Sequence, residues 1–149
     1  GVVAWGGACC AVGGGGAGVW VAGGVWSPVW VLAKHGGRGR GPLLFHGVRV
    51  DAADIAIMAR RRCAVAHCPA SNAKFGHGIA PLLSFVEAGI RVGIGSDSVA
   101  SNNRMDLLAE ARLAVLIHRA ATRRHAAFSA HKARSLATIV GARELRIES

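Results

Sequence analysis

From residue 43 onward the chain reads as an α/β fold, with parallel strands joined by helical crossovers. Three observations carry this. Short apolar runs alternate with segments of helical period, the pattern that lays helices over a parallel sheet. Glycine, proline and cap-type residues punctuate the joints,. Each of three strand-like runs also ends on an ionisable side chain, His46, His67 and Asp97, at intervals of 21 and 30 residues, and each interval suits one strand-helix repeat.

The elements follow in order. Pro42-Leu43-Leu44-Phe45 reads as a short buried strand that ends at His46. Asp51 is placed to cap a helix opening at residues 50–54, and Ile55, Met58 and Ala59 then share one face,. Cys63-Ala64-Val65-Ala66 is a second strand, ending at His67. Ser71 and Asn72 fit a loop fixed by side-chain to backbone hydrogen bonds. Pro81 suits the first turn of a helix running to Glu87, which Gly89 ends,. Residues 90–94 form a third strand, followed by Gly95-Ser96-Asp97. Asn102 or Asn103 is positioned to cap a long helix from Met105 to about Arg119, and a last helix runs from about Ser129 to Val140, closed by Gly141.

Residues 1–42 are different in kind. Of the 21 glycines, 15 fall in residues 1–47, all four tryptophans fall in the first 30 residues, and residues 1–33 carry no charge. Three readings of this Gly-rich stretch stand side by side. A membrane span is disfavoured by the glycines, each costing about 1 kcal/mol against alanine inside a helix. A Gly/Trp-rich low-complexity tract of undetermined structure fits the composition. A segment foreign to the rest of the chain is the third. No Lys or Arg precedes the stretch, so the basic start of a secretory signal is missing,. The division is therefore 1–42, without an assigned fold, and 43–149, the α/β part.

Composition sets further bounds. The chain has 149 residues, 52% of them hydrophobic and 17% charged, which suits a single packed domain rather than a disordered chain. The net charge of +10 raises nucleic acid as a partner. Arg60-Arg61-Arg62 and Arg119 with Arg123-Arg124 would carry that role, but such runs also suit solvated helix faces, and only Phe128 could stack a base there,. Cys63, His67 and Cys68 do not make a zinc knuckle. Cys63 and His67 would lie about 13 Å apart along a strand, and Cys63 and Cys68 suit buried small hydrophobes. The H-x-E with P-C-x-x-C pattern of zinc nucleobase deaminases is absent,.

In parallel α/β folds, ligands and chemistry gather at the C-terminal ends of the strands. Two imidazoles and a carboxylate placed there could bind a divalent metal or manage protons on a water molecule. His77, in a glycine-flanked loop, is read as solvent-facing near that mouth. His118, His125 and His131, with Glu110 and Arg112, are read as helix-surface residues.

His67-Cys68-Pro69-Ala70-Ser71-Asn72-Ala73-Lys74 resembles the H-[CN]-P-x-S-N-x-K element of the amidohydrolase superfamily. Gly78-Ile79-Ala80-Pro81 continues it, and Glu87 to Ser98 resembles that superfamily's E-A-G-x-x-V-x-[IL]-G-[ST]-D strand. Ala100-Ser101-Asn102-Asn103 is similar to the branch of methylthioadenosine/S-adenosylhomocysteine deaminases, guanine deaminases and triazine chlorohydrolases. Ala137 to Arg143 resembles the A-T-x-N-G-A-x helix near the end of their barrel, with Val140 in place of Asn. The resemblance covers residues 43 to about 147.

It implies a (β/α)8 barrel, of which this chain holds about the last three strands and their helices, with a metal at the C-terminal face. By the same resemblance Asp97 is a metal ligand and proton acceptor, and His46 holds the attacking water or the departing group. His67 is a pocket residue that touches substrate. The implied cofactor is a divalent metal, Zn2+ in the first instance and Fe2+ as the other candidate. The implied reaction is hydrolytic deamination of a purine- or pyrimidine-like heterocycle. The expected partner is a small heterocyclic substrate, with neither nucleic acid nor membrane, in the cytoplasm, and oligomers are possible in the full-length family. The superfamily's His-x-His and His-x-x-Glu elements are missing from this sequence, so little or no activity is expected of the chain alone. A basic nucleic-acid-binding module without catalysis is the alternative.

Overall fold

The computed structural model describes residues 2–5, 8–13, 29 and 41–145. Five strands form one sheet in the order β1 (Val2–Trp5), β2 (Ala8–Gly13), β3 (Leu43–Phe45), β4 (Ala64–His67) and β5 (Arg91–Ile94). The first two strands pair antiparallel with each other, and β2 pairs antiparallel with β3. The last three are parallel, as the repeating strand-helix pattern requires. Apart from β1, β2, Val29 and residues 41–42, the reading of residues 1–42 as a Gly/Trp-rich tract without an assigned fold falls outside the described residues. Among the described residues no helix is long and apolar enough to cross a membrane.

Between β3 and β4 runs α1 (Ala52–Arg60), and its start is the one expected: Asp51 accepts from the Asp54 backbone while the Asp54 carboxylate accepts from the Asp51 N–H. This reciprocal box satisfies two N–H groups that have no partner inside the helix. Between β4 and β5 lie two helices, α2 (Pro69–Lys74) and α3 (Leu82–Glu87). The expected loop at Ser71 and Asn72 is instead α2, whose first turn is set by Pro69, a residue already bent to the helical φ. After β5 come α4 (Val99–Asn102), α5 (Leu107–Thr122), α6 (Ala130–Ala137) and α7 (Ile139–Leu145).

Two boundaries correct the sequence reading. The long helix is capped by Asp106, whose carboxylate accepts from the N–H groups of Leu108 and Ala109. Asn103 instead ends α4 in the left-handed conformation. The last helix breaks at Thr138, and Gly141 lies inside α7 rather than closing a helix. A tertiary contact explains the glycine: a Cβ on Gly93 of β5 would meet Gly141 Cα at 3.2 Å. Two side-chain-free positions let helix and strand backbones approach.

Both faces of the parallel strands are covered: a Cβ on Gly93 would meet Gly141 and Leu136 on one, and its neighbour Val92 points to the other. Leu44, Val65 and Val92 are register partners across β3, β4 and β5, so their side chains share that face, and all three are buried. Met58 of α1, Leu82 and Phe85 of α3, Ala114 and Val115 of α5, and Leu136 of α6 belong to the same cluster. Parallel pairing brings the C-terminal ends of all three strands to one edge. His46 follows β3 there, His67 closes β4, and Asp97 lies three residues beyond β5.

Candidate active site

His46 and Asp97 are brought together. His46 Nε2 lies 3.8 Å from Asp97 Oδ2. Each is held by a residue of α2. His46 Nδ1 is 2.9 Å from Asn72 Oδ1. An amide oxygen only accepts, so Nδ1 carries a proton, and in the neutral ring Nε2 then keeps a lone pair. Ser71 Oγ donates to Asp97 Oδ2 at 2.7 Å, and the Ser98 N–H donates to Asp97 Oδ1 at 2.7 Å. Ser71 and Asn72 thus act through side chains on the two site residues, not on the backbone of a loop as the sequence suggested. Partial burial alone would raise the Asp97 pKa. The Ser71 hydroxyl, the Ser98 N–H, the nearby His46 and the Ser101 hydroxyl outweigh it, and the carboxyl is held below its ordinary range.

The result is an ionised carboxylate facing His46 Nε2, a lone-pair atom in the neutral ring, beyond hydrogen-bond distance,. Two electron-rich atoms so placed suit a cation or a proton-bearing group between them. Both residues also adopt left-handed backbone, with φ of 67° at His46 and 60° at Asp97. This conformation is uncommon outside glycine and concentrates where function fixes a side chain. The other non-glycine residues with positive φ among those described are Arg62, Asn103 and Arg123, and each lies just past a helix end. His46 and Asp97 follow strands.

His67 is placed differently. It stands two residues after Val65 on β4, on the same face as Val65, and is 2% exposed. Its ring centroid is 5.5 Å from that of His118 on α5. Burial first, then the neighbouring His118 and His46, push its pKa down to about 3, so the ring is neutral. Among the described residues neither of its ring nitrogens meets a hydrogen-bond partner. His67 also lines a cavity of about 260 Å³ with Pro69, Asn72, Ala73, Ile79 and Ile117 among its walls. Cys63 and Cys68 are buried free thiols, and burial together with Asp97 and Glu110 raises Cys68 to about 12.

Two helix residues read as surface are buried. His118 is 4% exposed and Glu110 2%. Glu110 Oε2 accepts from the Ala70 backbone N–H at 3.0 Å, and Oε1 accepts from Asn102 Nδ2 at 2.6 Å. Those partners are 40 and 8 residues away in the chain, so no local pattern pointed to them. His125 and His131 are exposed. His77 is half-buried and stacks on Phe75. Lys74 of α2 reaches Ala100 O and Asn103 Oδ1, both at 2.8 Å.

As a metal centre the donors fit in kind but fall short in number. Asp97 and His46 offer an ionised oxygen and an imidazole lone pair, yet among the described residues no group of three or more His, Cys, Asp or Glu could hold an ion. Catalytic zinc normally takes three protein ligands.

Three parallel strands with helical crossovers, and polar groups at their C-terminal ends, have the arrangement of part of a (β/α)8 barrel,. The amidohydrolase family model matches residues 41–149, and the chain belongs to that family. It is 42% identical over 123 residues to the 5-methylthioadenosine/S-adenosylhomocysteine deaminase of Thermococcus onnurineus, covering 83% of this chain and 29% of that protein. The Moorella thermoacetica protein of the same name is 39% identical over 122 residues, covering 82% and 28%. The chain thus spans under a third of the length of these relatives. Among solved structures, an adenosine deaminase from Xanthomonas campestris with bound zinc superposes with a TM-score of 0.66 at 34% identity, over 70% of this chain and 24% of that one. Atrazine chlorohydrolase from Arthrobacter aurescens, complexed with zinc, gives 0.64 at 35% identity over 67% and 22%.

Proposed function

We propose that this chain carries the later part of the catalytic centre of a hydrolase that removes an amine from a purine- or pyrimidine-like ring by attack of water. His46 and Asp97 are its reacting groups, and Asp97 is its share of a metal site. The observation that carries this is the facing of His46 Nε2 and Asp97 Oδ2 at 3.8 Å, each fixed by a separate α2 side chain. The names of the relatives and the zinc in two of the solved neighbours support it.

A divalent metal, Zn2+ or else Fe2+, would be held in part by Asp97 and would lower the pKa of a water toward neutral. The Asp97 carboxylate accepts the proton. The His46 imidazole, its Nδ1–H given to Asn72, presents Nε2 to the attacking water or to the departing amine. His67, in the cavity wall, lies against the substrate. With two donors among the described residues the chain is inactive alone, and the rest of the ligand set comes from outside it. The heterocycle is its partner, in the cytoplasm.

Calorimetric titration of the chain with Zn2+ tests this. Weak binding is expected, weaker still in Asp97→Asn, with no ammonia released from a purine nucleoside. Tight stoichiometric binding that survives Asp97→Asn removes the site assignment.

A further inference from the structure

The two residues that hold the reacting pair, Ser71 and Asn72, are neighbours on a six-residue helix. A helix that short has little stability of its own. Something outside it must fix its place relative to Asp97, which lies on a different segment. Glu110 of α5 touches both. One carboxylate oxygen takes the Ala70 N–H, immediately before Ser71, and the other takes Asn102 Nδ2. The same Asn102 nitrogen donates to Ser96 O at 2.8 Å, immediately before Asp97. One buried carboxylate thus ties the backbone next to Ser71 to the backbone next to Asp97. Lys74 makes a second link between α2 and the 100–103 segment, but on the exposed side.

We propose that Glu110 is a positioning residue: through Ala70 and Asn102 it sets the spacing between α2 and the 96–102 segment, and so keeps His46 and Asp97 facing each other. The chemistry of the carboxylate suits the task. It is acceptor-only, and each oxygen meets an N–H. Glutamine would present an NH2 group to one of those donors. Stability alone does not call for glutamate here. Burying a carboxylate against uncharged N–H groups costs solvation, and an apolar side chain would pack on the helix as well. What an apolar residue would lose is the link.

The proposal rests on His46 and Asp97 being the reacting pair, but its test does not need turnover. In the full chain, NMR follows exchange of the His46 Nδ1 proton with solvent in Glu110→Gln. The expected result is exchange faster by about tenfold, the weight of one ordinary hydrogen bond, in a protein still folded by circular dichroism. Asp106→Ala, which removes the cap of the same helix, is expected to lower stability and leave that exchange rate unchanged. Equal rates in Glu110→Gln and the parent, or equal acceleration by Asp106→Ala, overturn the role. Should Glu110→Gln not fold, Asn102→Ala replaces it: accelerated exchange supports the link, and an unchanged rate overturns it. A wrong assignment of the reacting pair shows itself separately, as tight zinc binding that survives Asp97→Asn.

Discussion

His67 shows how far burial can move one side chain from its solution chemistry. Its folded pKa of about 3 lies well below the ordinary value of 6.5. Between those two values the unfolded chain binds a proton that the folded chain does not, so stability is complete above about pH 6.5 and falls as pH drops through the window. The slope is roughly 1 kcal/mol per pH unit for one such histidine. His118, also pushed down by burial, adds in the same direction. Urea unfolding at pH 7, 6 and 5 is expected to show the loss, and His67→Phe to flatten most of it; a parent of constant stability over this range contradicts a buried neutral imidazole. The pH values lie above the usual carboxylate range, so Asp and Glu contribute little there.

Among the elements, α2 turns a sequence motif into geometry. Ser71, Asn72 and Lys74 all lie on it, and each reaches a different distant segment: Asp97, His46 and residues 100–103. Helix ends offer a simpler test. Arg123 closes α5 in the left-handed conformation at φ 53°, and its side chain is exposed. Glycine adopts that conformation without a Cβ penalty. Arg123→Gly is therefore expected to stabilise the fold by about 0.5–1 kcal/mol, read as a higher thermal midpoint. A lower midpoint would mean that the arginine side chain holds the helix end by contacts of its own. His46 and Asp97 share the left-handed backbone but not this freedom, since glycine at either would remove the reacting group.

For the molecule as a whole, three parallel strands and their helices bury one continuous apolar cluster. Phe85 is fully buried in it and also packs close to Gly47, just after His46. Phe85→Ala is expected to cost about 3–5 kcal/mol. A domain this size holds a net stability of about 5–15 kcal/mol, so the variant loses much of its cooperative thermal transition. A small shift in midpoint would mean that the cluster repacks around the void. The basic run Arg60 to Arg62 lies between the end of α1 and the start of β4, hence at the N-terminal edge of the sheet, opposite His46 and Asp97. That run is therefore not part of the candidate site.

The three parallel strands with helices α1, α3 and α5, the Asp51 cap and the placing of His46, His67 and Asp97 at strand ends were legible in the chain, because each depends on side-chain period or on contacts within a few residues. The motifs around residues 67–74 and 87–98 fixed the family for the same reason. The sequence could not tell that His67 turns to the core while His46 turns to Asp97, that Gly141 serves Gly93 rather than a helix end, or that Glu110 and His118 are buried. Those outcomes depend on partners tens of residues away. Burial and hydrogen bonding are settled only when packing brings such partners together, and a residue's type does not reveal which neighbour it will meet.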